Sequence, residues 1–241
     1  MKTEGKMRMK TKMFHYTLGI VASIAMIVIL LITSFEIAAY SDYGWYEKEY
    51  LKYEVLDDLE MKIEDAMDVT EEMMAYLRGN REDLVVNTIV DGETREFFND
   101  REKAHMVDVQ NLFLGGLDLR RGAATGFLAA LIILVFTKAD WKKILPKSFL
   151  IGVGSFIAAV GILAVLVAID FNKYFTIFHE IFFDNDLWIL DPRTDLLIRM
   201  LPEGFFFDMV IRIGVIFMIS LIILLLISII TLWKQKDKKN L

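Results

Sequence analysis

The sequence predicts a mainly α, polytopic membrane protein, a bundle of four transmembrane helices carrying an extracellular α+β cap. Three observations predict it. Mean hydropathy is positive, at +0.43. Four apolar segments are each long enough to cross a bilayer. Charge is segregated along the chain, with basic residues clustered at both ends and in one turn, and acidic residues gathered in two segments between them. The net charge of −6 averages over that pattern and says little about partners. The chain has no cysteine, which excludes disulfides, thiolate nucleophiles and thiolate metal sites.

Residues 1–13 are a basic N-terminus with Lys2, Lys6, Arg8, Lys10 and Lys12 against Glu4. The first span is expected at 14–39. Its uncharged run, 14–35, exceeds the roughly 7–15 apolar residues of a cleaved signal, so a retained span is expected. The cap follows at 40–121, where residues 41–118 hold 21 acidic against 8 basic side chains. Trp45, Tyr46, Tyr50 and Tyr53 open it with aromatics suited to a membrane interface. Leu56, Leu59, Ile63, Met67, Met74 and Leu77 form an apolar stripe that predicts one amphipathic helix over 55–77. Asp91-Gly92, between apolar stretches 84–90 and 94–98, predicts a hairpin. Asn99 followed by Glu102 is an N-cap and N3 pair that starts the next helix.

The second span is expected at 122–138 and a basic turn at 139–147. The third span, 148–169, carries Gly152, Gly154 and Gly161, which permit close helix approach. A second acidic segment occupies 170–208, a fourth span 209–233 and a basic tail 234–241. Lysine and arginine crowd the N-terminus, the turn near Trp141 and the C-terminus. By the positive-inside rule both termini are then cytoplasmic and both acidic segments extracellular, in a cell membrane.

The candidate chemistry lies in the acidic segments. His15 sits at the mouth of the first span, where an imidazole reaches headgroups. His105 and His179 lie in separate extracellular segments near the membrane, so folding of the cap can bring them together. A histidine beside a carboxylate serves as a general base at neutral pH. Arg101, His105 and Asp108 share one helical face, which places Asp108 for His105; for His179 the choice among Glu180, Asp184 and Asp186 stays open. Arg101 suits a phosphate or substrate carbonyl, or a surface ion pair. Phe178, Phe182 and Trp188, among ten aromatics from Phe171 to Phe207, form either an interfacial belt or a wall for acyl chains. The HEIFF sequence lacks the second histidine of HExxH, and neither GxSxG, a P-loop nor a Rossmann glycine pattern is present. Nothing suggests nucleic acid.

NDREKAHMVDVQNLF at 99–113 and FHEIFFDNDLWILDP at 178–192, in a four-span layout with both motifs outside, resemble the bacterial lipoprotein intramolecular transacylases. The likeness covers nearly the whole chain in layout and is strongest in these two motifs. It implies catalytic roles for His105 and His179, supported by Arg101, Asp108, Glu180, Asp184, Asp186, Phe178, Phe182 and Trp188. The implied reaction moves the sn-2 acyl chain of a diacylglyceryl-cysteine lipoprotein onto the same cysteine's α-amino group, leaving a lyso-form lipoprotein. The implied partners are the diacylated lipoprotein and membrane lipid, with no cofactor and no metal. Two other classes fit the residues alone: a non-enzymatic membrane sensor or assembly factor, and a metal-dependent membrane hydrolase. The sequence gives no oligomeric state.

Overall fold

A computed structural model describes residues 2–237. Lys238 and Lys239 of the basic tail, and the side chains of Lys2, Lys6 and Arg8, lie outside the described residues. The chain runs α1 (Lys2–Tyr40), α2 (Gly44–Lys52), α3 (Val55–Asp58), α4 (Ile63–Leu77), β1 (Asn87–Val90), β2 (Glu93–Glu96), α5 (Asp100–Phe136), α6 (Trp141–Ile169), α7 (Phe171–Phe182), α8 (Leu196–Met200) and α9 (Glu203–Asp237). It is mainly helical, and it divides into two compact units.

The first unit comprises Met1–Phe35, Asp118–Val165 and Gly214–Leu241. Its apolar helices bury few side chains; Ile27, Phe149, Val153, Phe217 and Leu221 form the one cluster described. Most others face outward, such as Ile162 at 66% exposure and Leu128 at 55%. Exposing so many apolar side chains to water is costly, whereas lipid accepts them. Among the described residues, Met9–Tyr40, Asp100–Phe136 and Glu203–Asp237 are long and apolar enough to cross a membrane, and a fourth span exists if Val160–Ile169 and Phe171–Phe182, bent by 119°, are one. The protein is thus a multi-pass membrane protein. Close helix approach occurs at Gly19, where an added Cβ would lie 2.4 Å from Ser148 Oγ. Gly152 has ordinary contacts, and Gly154 and Gly161 have open space beside them, so the expected glycine contacts fall on α1 instead.

The second unit comprises Glu36–Leu117 and Leu166–Ile213. It holds a larger core in which Tyr50, Phe97, Phe98 and Leu59 are almost fully buried. Tyr46 and Tyr50, expected at an interface, belong to this core. Tyr46 donates to Ala39 O at 3.0 Å, Tyr50 Oη pairs with Thr70 Oγ1 at 2.6 Å, and both rings pack near Phe205. Buried hydroxyls need such partners, and each ring finds one within reach.

The helix expected over 55–77 is two helices, α3 and α4. Glu60 takes a left-handed φ of 46° that ends the first, and the break lets Leu59 and Met61 both be buried. The buried residues of α4 are Ala66, Val69, Thr70, Met73, Met74, Tyr76 and Leu77, so Met74 and Leu77 of the expected stripe face inward while Ile63 and Met67 are only half-buried. Strands β1 and β2 pair antiparallel, with Val90 opposite Glu93. Asp91 and Gly92 between them have φ of 53° and 74°, the two positive values that a tight hairpin turn requires. Gly204 is the closest backbone approach in this unit, because an added Cβ would lie 2.3 Å from the Tyr53 ring.

Candidate functional site

The site is assembled within the second unit, from the first turns of α5 and the last turn of α7. The start of α5 is fixed by a reciprocal capping box. Asn99 Oδ1 accepts from Glu102 N at 3.0 Å, and Glu102 Oε2 accepts from Asn99 N at 2.7 Å. Glu102 is fully buried, and its other oxygen accepts from Leu197 N at 2.6 Å. Burial raises its carboxyl pKa, while the backbone donors hold it down. Asn99 Nδ2 also donates to the buried Asp195 at 2.7 Å. The first two turns of α5 are thereby tied to the chain around α8.

His105 stands one turn further along this anchored helix, before the apolar run of α5 that begins at Gly122. On the other side, Asp170 caps α7 by accepting from Lys173 N at 3.1 Å. The amphipathic pattern of α7 then turns His179 inward while Phe178, Ile181 and Phe182 stay exposed. Both imidazoles are buried, at 7% and 8% exposure, and their ring centroids lie 6.2 Å apart. Phe183 packs against both, at 5.4 Å from His105 and 5.5 Å from His179.

His179 Nδ1 lies 2.7 Å from the Phe175 carbonyl. A carbonyl only accepts, so Nδ1 carries the proton and the neutral ring keeps its lone pair on Nε2. Phe175 at 4.4 Å and Trp188, stacked at 5.0 Å, pack on the same ring. His105 Nδ1 is buried with no hydrogen-bond partner among the described residues. Burial lowers the pKa of both histidines. For His105 it acts with the charge of His179 and, more weakly, Arg101, against Asp108, bringing the value down to about 4; for His179 the Phe175 hydrogen bond opposes it. Both rings are therefore neutral at pH 7. Among the described residues no group of three or more histidine, aspartate or glutamate side chains is arranged to hold a metal.

The supporting residues take different positions. Arg101 donates to the Asp186 carbonyl and approaches Asp186 Oδ1 at 3.6 Å. Asp108 accepts from Asn185 Nδ2 at 2.8 Å. Glu180 and Asp184 are exposed, and their side chains make no hydrogen bond or ion pair among the described residues. The group on His179 Nδ1 is thus a backbone carbonyl rather than any of the three carboxylates considered. Sequence reading missed Asn185 and the Phe175 carbonyl, and took Phe175 and Phe183 only as two of the ten aromatics of a belt or wall. The helical i−4 spacing of Phe175 from His179 was the one available signal for the carbonyl contact.

A model of the family described as lipoprotein intramolecular transacylase Lit matches residues 20–206, a stretch that holds both histidines. The chain belongs to this family. As a lipoprotein intramolecular transacylase it is an enzyme, an acyltransferase, and not a non-enzymatic sensor or assembly factor. Its fold is similar to that of the membrane-integral lipoprotein intramolecular transacylase Lit from Bacillus cereus, solved in meso, with a TM-score of 0.77 and 20% identity over 94% of this chain and 99% of that one. Two histidine variants of that protein are also similar. The histidine-to-arginine form has a TM-score of 0.74 and 19% identity over 98% and 99% of the two chains. The histidine-to-alanine form has 0.72 and 19% over 96% and 99%. Comparison with curated protein sequences finds no match.

Proposed function

We propose that His105 and His179 are the catalytic pair of this transacylase, and that it moves the sn-2 acyl chain of a diacylglyceryl-cysteine lipoprotein to the α-amino group of the same cysteine. The observation that carries the assignment is the pair itself: two buried imidazoles 6.2 Å apart, one of which presents a fixed Nε2 lone pair. The amine nitrogen attacks the ester carbonyl, forming the N–C bond, and the C–O bond to glycerol breaks. Attack closes an eight-membered ring through nitrogen, Cα, Cβ, sulfur, two glyceryl carbons, ester oxygen and acyl carbon. Medium rings close reluctantly, so holding amine against ester is the larger task, for which orientation supplies up to about 7–11 kcal/mol.

A free α-amine has a pKa of about 7.7–8.0, so a fraction is already neutral at pH 7 and can attack. The nitrogen of the resulting adduct is far more acidic than the free ammonium, so a weakly basic imidazole suffices to remove its proton. His179 Nε2 takes that role. The imidazolium so formed is more acidic than a solvated one, suited to returning a proton to the leaving glyceryl oxygen, directly or through His105. Such general acid-base help contributes about 10²- to 10⁴-fold. The products are an amide and a free glyceryl hydroxyl, and a substrate that begins as ammonium releases one proton to solvent. Phe175, Phe183 and Trp188 exclude water from the ester, which suppresses hydrolysis.

The lysine asymmetry supports a site on the outer face with both termini cytoplasmic; a reporter placed near Lys143 is expected inside and one near Gly92 outside. Mass spectrometry of a purified diacyl-lipoprotein tests the reaction. Transfer keeps the total mass and moves one acyl chain to nitrogen. Loss of a fatty acid would identify a hydrolase instead.

A further inference from the structure

We propose that Asn185 is a positioning residue that fastens the His179 side of the site to the His105 helix, holding Trp188 over the His179 ring. The proposal rests on the catalytic reading of the two histidines. Three hydrogen bonds meet at Asn185. Its Nδ2 donates to Asp108 Oδ2 at 2.8 Å, its Oδ1 accepts from Leu187 N at 3.0 Å, and its backbone carbonyl accepts from Trp188 Nε1 at 2.9 Å. Trp188 in turn stacks on His179, 30° from parallel. A continuous path therefore leads from Asp108, one turn beyond His105, through Asn185 and Trp188 to the second imidazole.

The chemistry of the residue explains its identity. Asp108 as a carboxylate only accepts, so its partner must donate, while Leu187 N, two residues after Asn185, needs an acceptor. Asparagine is the residue of this length that does both. Aspartate would satisfy Leu187 N and set two carboxylates against each other. Asp184, Asn185 and Asp186 are all exposed, so burial does little to hold this loop. Among the described residues its polar ties to α5 are the Asn185 bond and the contacts of Arg101 with the Asp186 carbonyl and carboxylate. Without the first, Trp188 loses the support that keeps it on His179. The ring then gains freedom to tilt, and water gains a route to the acyl ester.

The test is Asn185→Asp beside the reciprocal double variant Asp108→Asn/Asn185→Asp, which reverses donor and acceptor while restoring the bond. The single variant is expected to lose about 10²-fold in kcat, the scale of a small misplacement near reacting atoms, with KM and thermal midpoint close to the parent. The double variant is expected to recover to within about tenfold of the parent. Parent-like kcat in the single variant, or a loss that the reversal leaves unchanged, would overturn the role. So would a loss explained wholly by less folded protein. Should Asn185→Asp fail to fold, Trp188→Phe decides, since it keeps a ring and removes the N–H: a kcat loss of about tenfold supports the tether and an unchanged kcat refutes it. His105→Ala run alongside separates the two claims. If it stays active, the histidine assignment itself falls. If it is inactive while Asn185→Asp turns over like the parent, only the positioning role falls.

Discussion

The two segments that carry the histidines are built differently. The start of α5 is closed by a reciprocal cap, a fully buried glutamate and a buried aspartate partner, and the packed pair Phe97 and Phe98 precedes it. The end of α7 has one backbone contact on its histidine, aromatic neighbours and an exposed loop. The first segment is fixed to the core and provides a frame. The second rests against that frame through Trp188, Phe183 and a few polar bonds. Damage to the cap of α5 should therefore appear first as lost stability, and damage to either imidazole or around α7 as lost rate.

Removing either imidazole should give the largest effect. His105→Ala and His179→Ala are each expected to lower transacylation by about 10²- to 10⁴-fold while the protein still folds, as checked by conversion of a diacyl-lipoprotein in single-turnover assays. A parent-like rate in one of them would remove that side from the chemistry. Glu102→Ala should expose the other half of the comparison. It leaves the buried Leu197 N without its acceptor, at about 1–3 kcal/mol, and removes the acceptor of the half-buried Asn99 N as well. The expected outcome is a thermal midpoint lowered by many degrees, with near-parent kcat in the molecules that remain folded. Unchanged stability would show that the cap does not hold the frame.

The smallest effect is that of pH. His105, with a folded pKa of about 4 against an ordinary 6.5, binds fewer protons folded than unfolded between those values. It contributes no penalty above pH 6.5. Stability then falls as pH drops from 6.5 toward 4, by at most about 1.4 kcal/mol per unit. Nitrogen NMR of the labelled imidazole should find it neutral throughout pH 5–8. A midpoint near 6.5 would show a solvated ring and contradict the buried geometry.

Much of the frame was legible in the sequence because its signals are local. Uncharged runs mark helices, Asp91-Gly92 supplies two residues that tolerate positive φ, and Asn99 with Glu102 spells a cap. The break at Glu60 was not legible, because the apolar stripe continues across it and only burial of both Leu59 and Met61 favours two helices. The core role of Tyr46 and Tyr50 was hidden as well, since their hydroxyl partners, Ala39 O and Thr70, are fixed by tertiary packing. At the site, His105 and His179 stood out as histidines near the membrane. The Phe175 carbonyl did not, because every residue has one. Asn185 was passed over among acidic neighbours, although its mixed donor and acceptor chemistry sets it apart from them.

The claim that matters most is that the two histidines, one on each kind of segment, act as a single catalytic unit. Groups on one proton path give non-additive losses, because the first deletion already disables the step that the second would assist. Rates for His105→Ala, His179→Ala and the double variant measure this directly. The expected result is a double variant little slower than the slower single. Losses that multiply would contradict it and assign the two imidazoles independent roles.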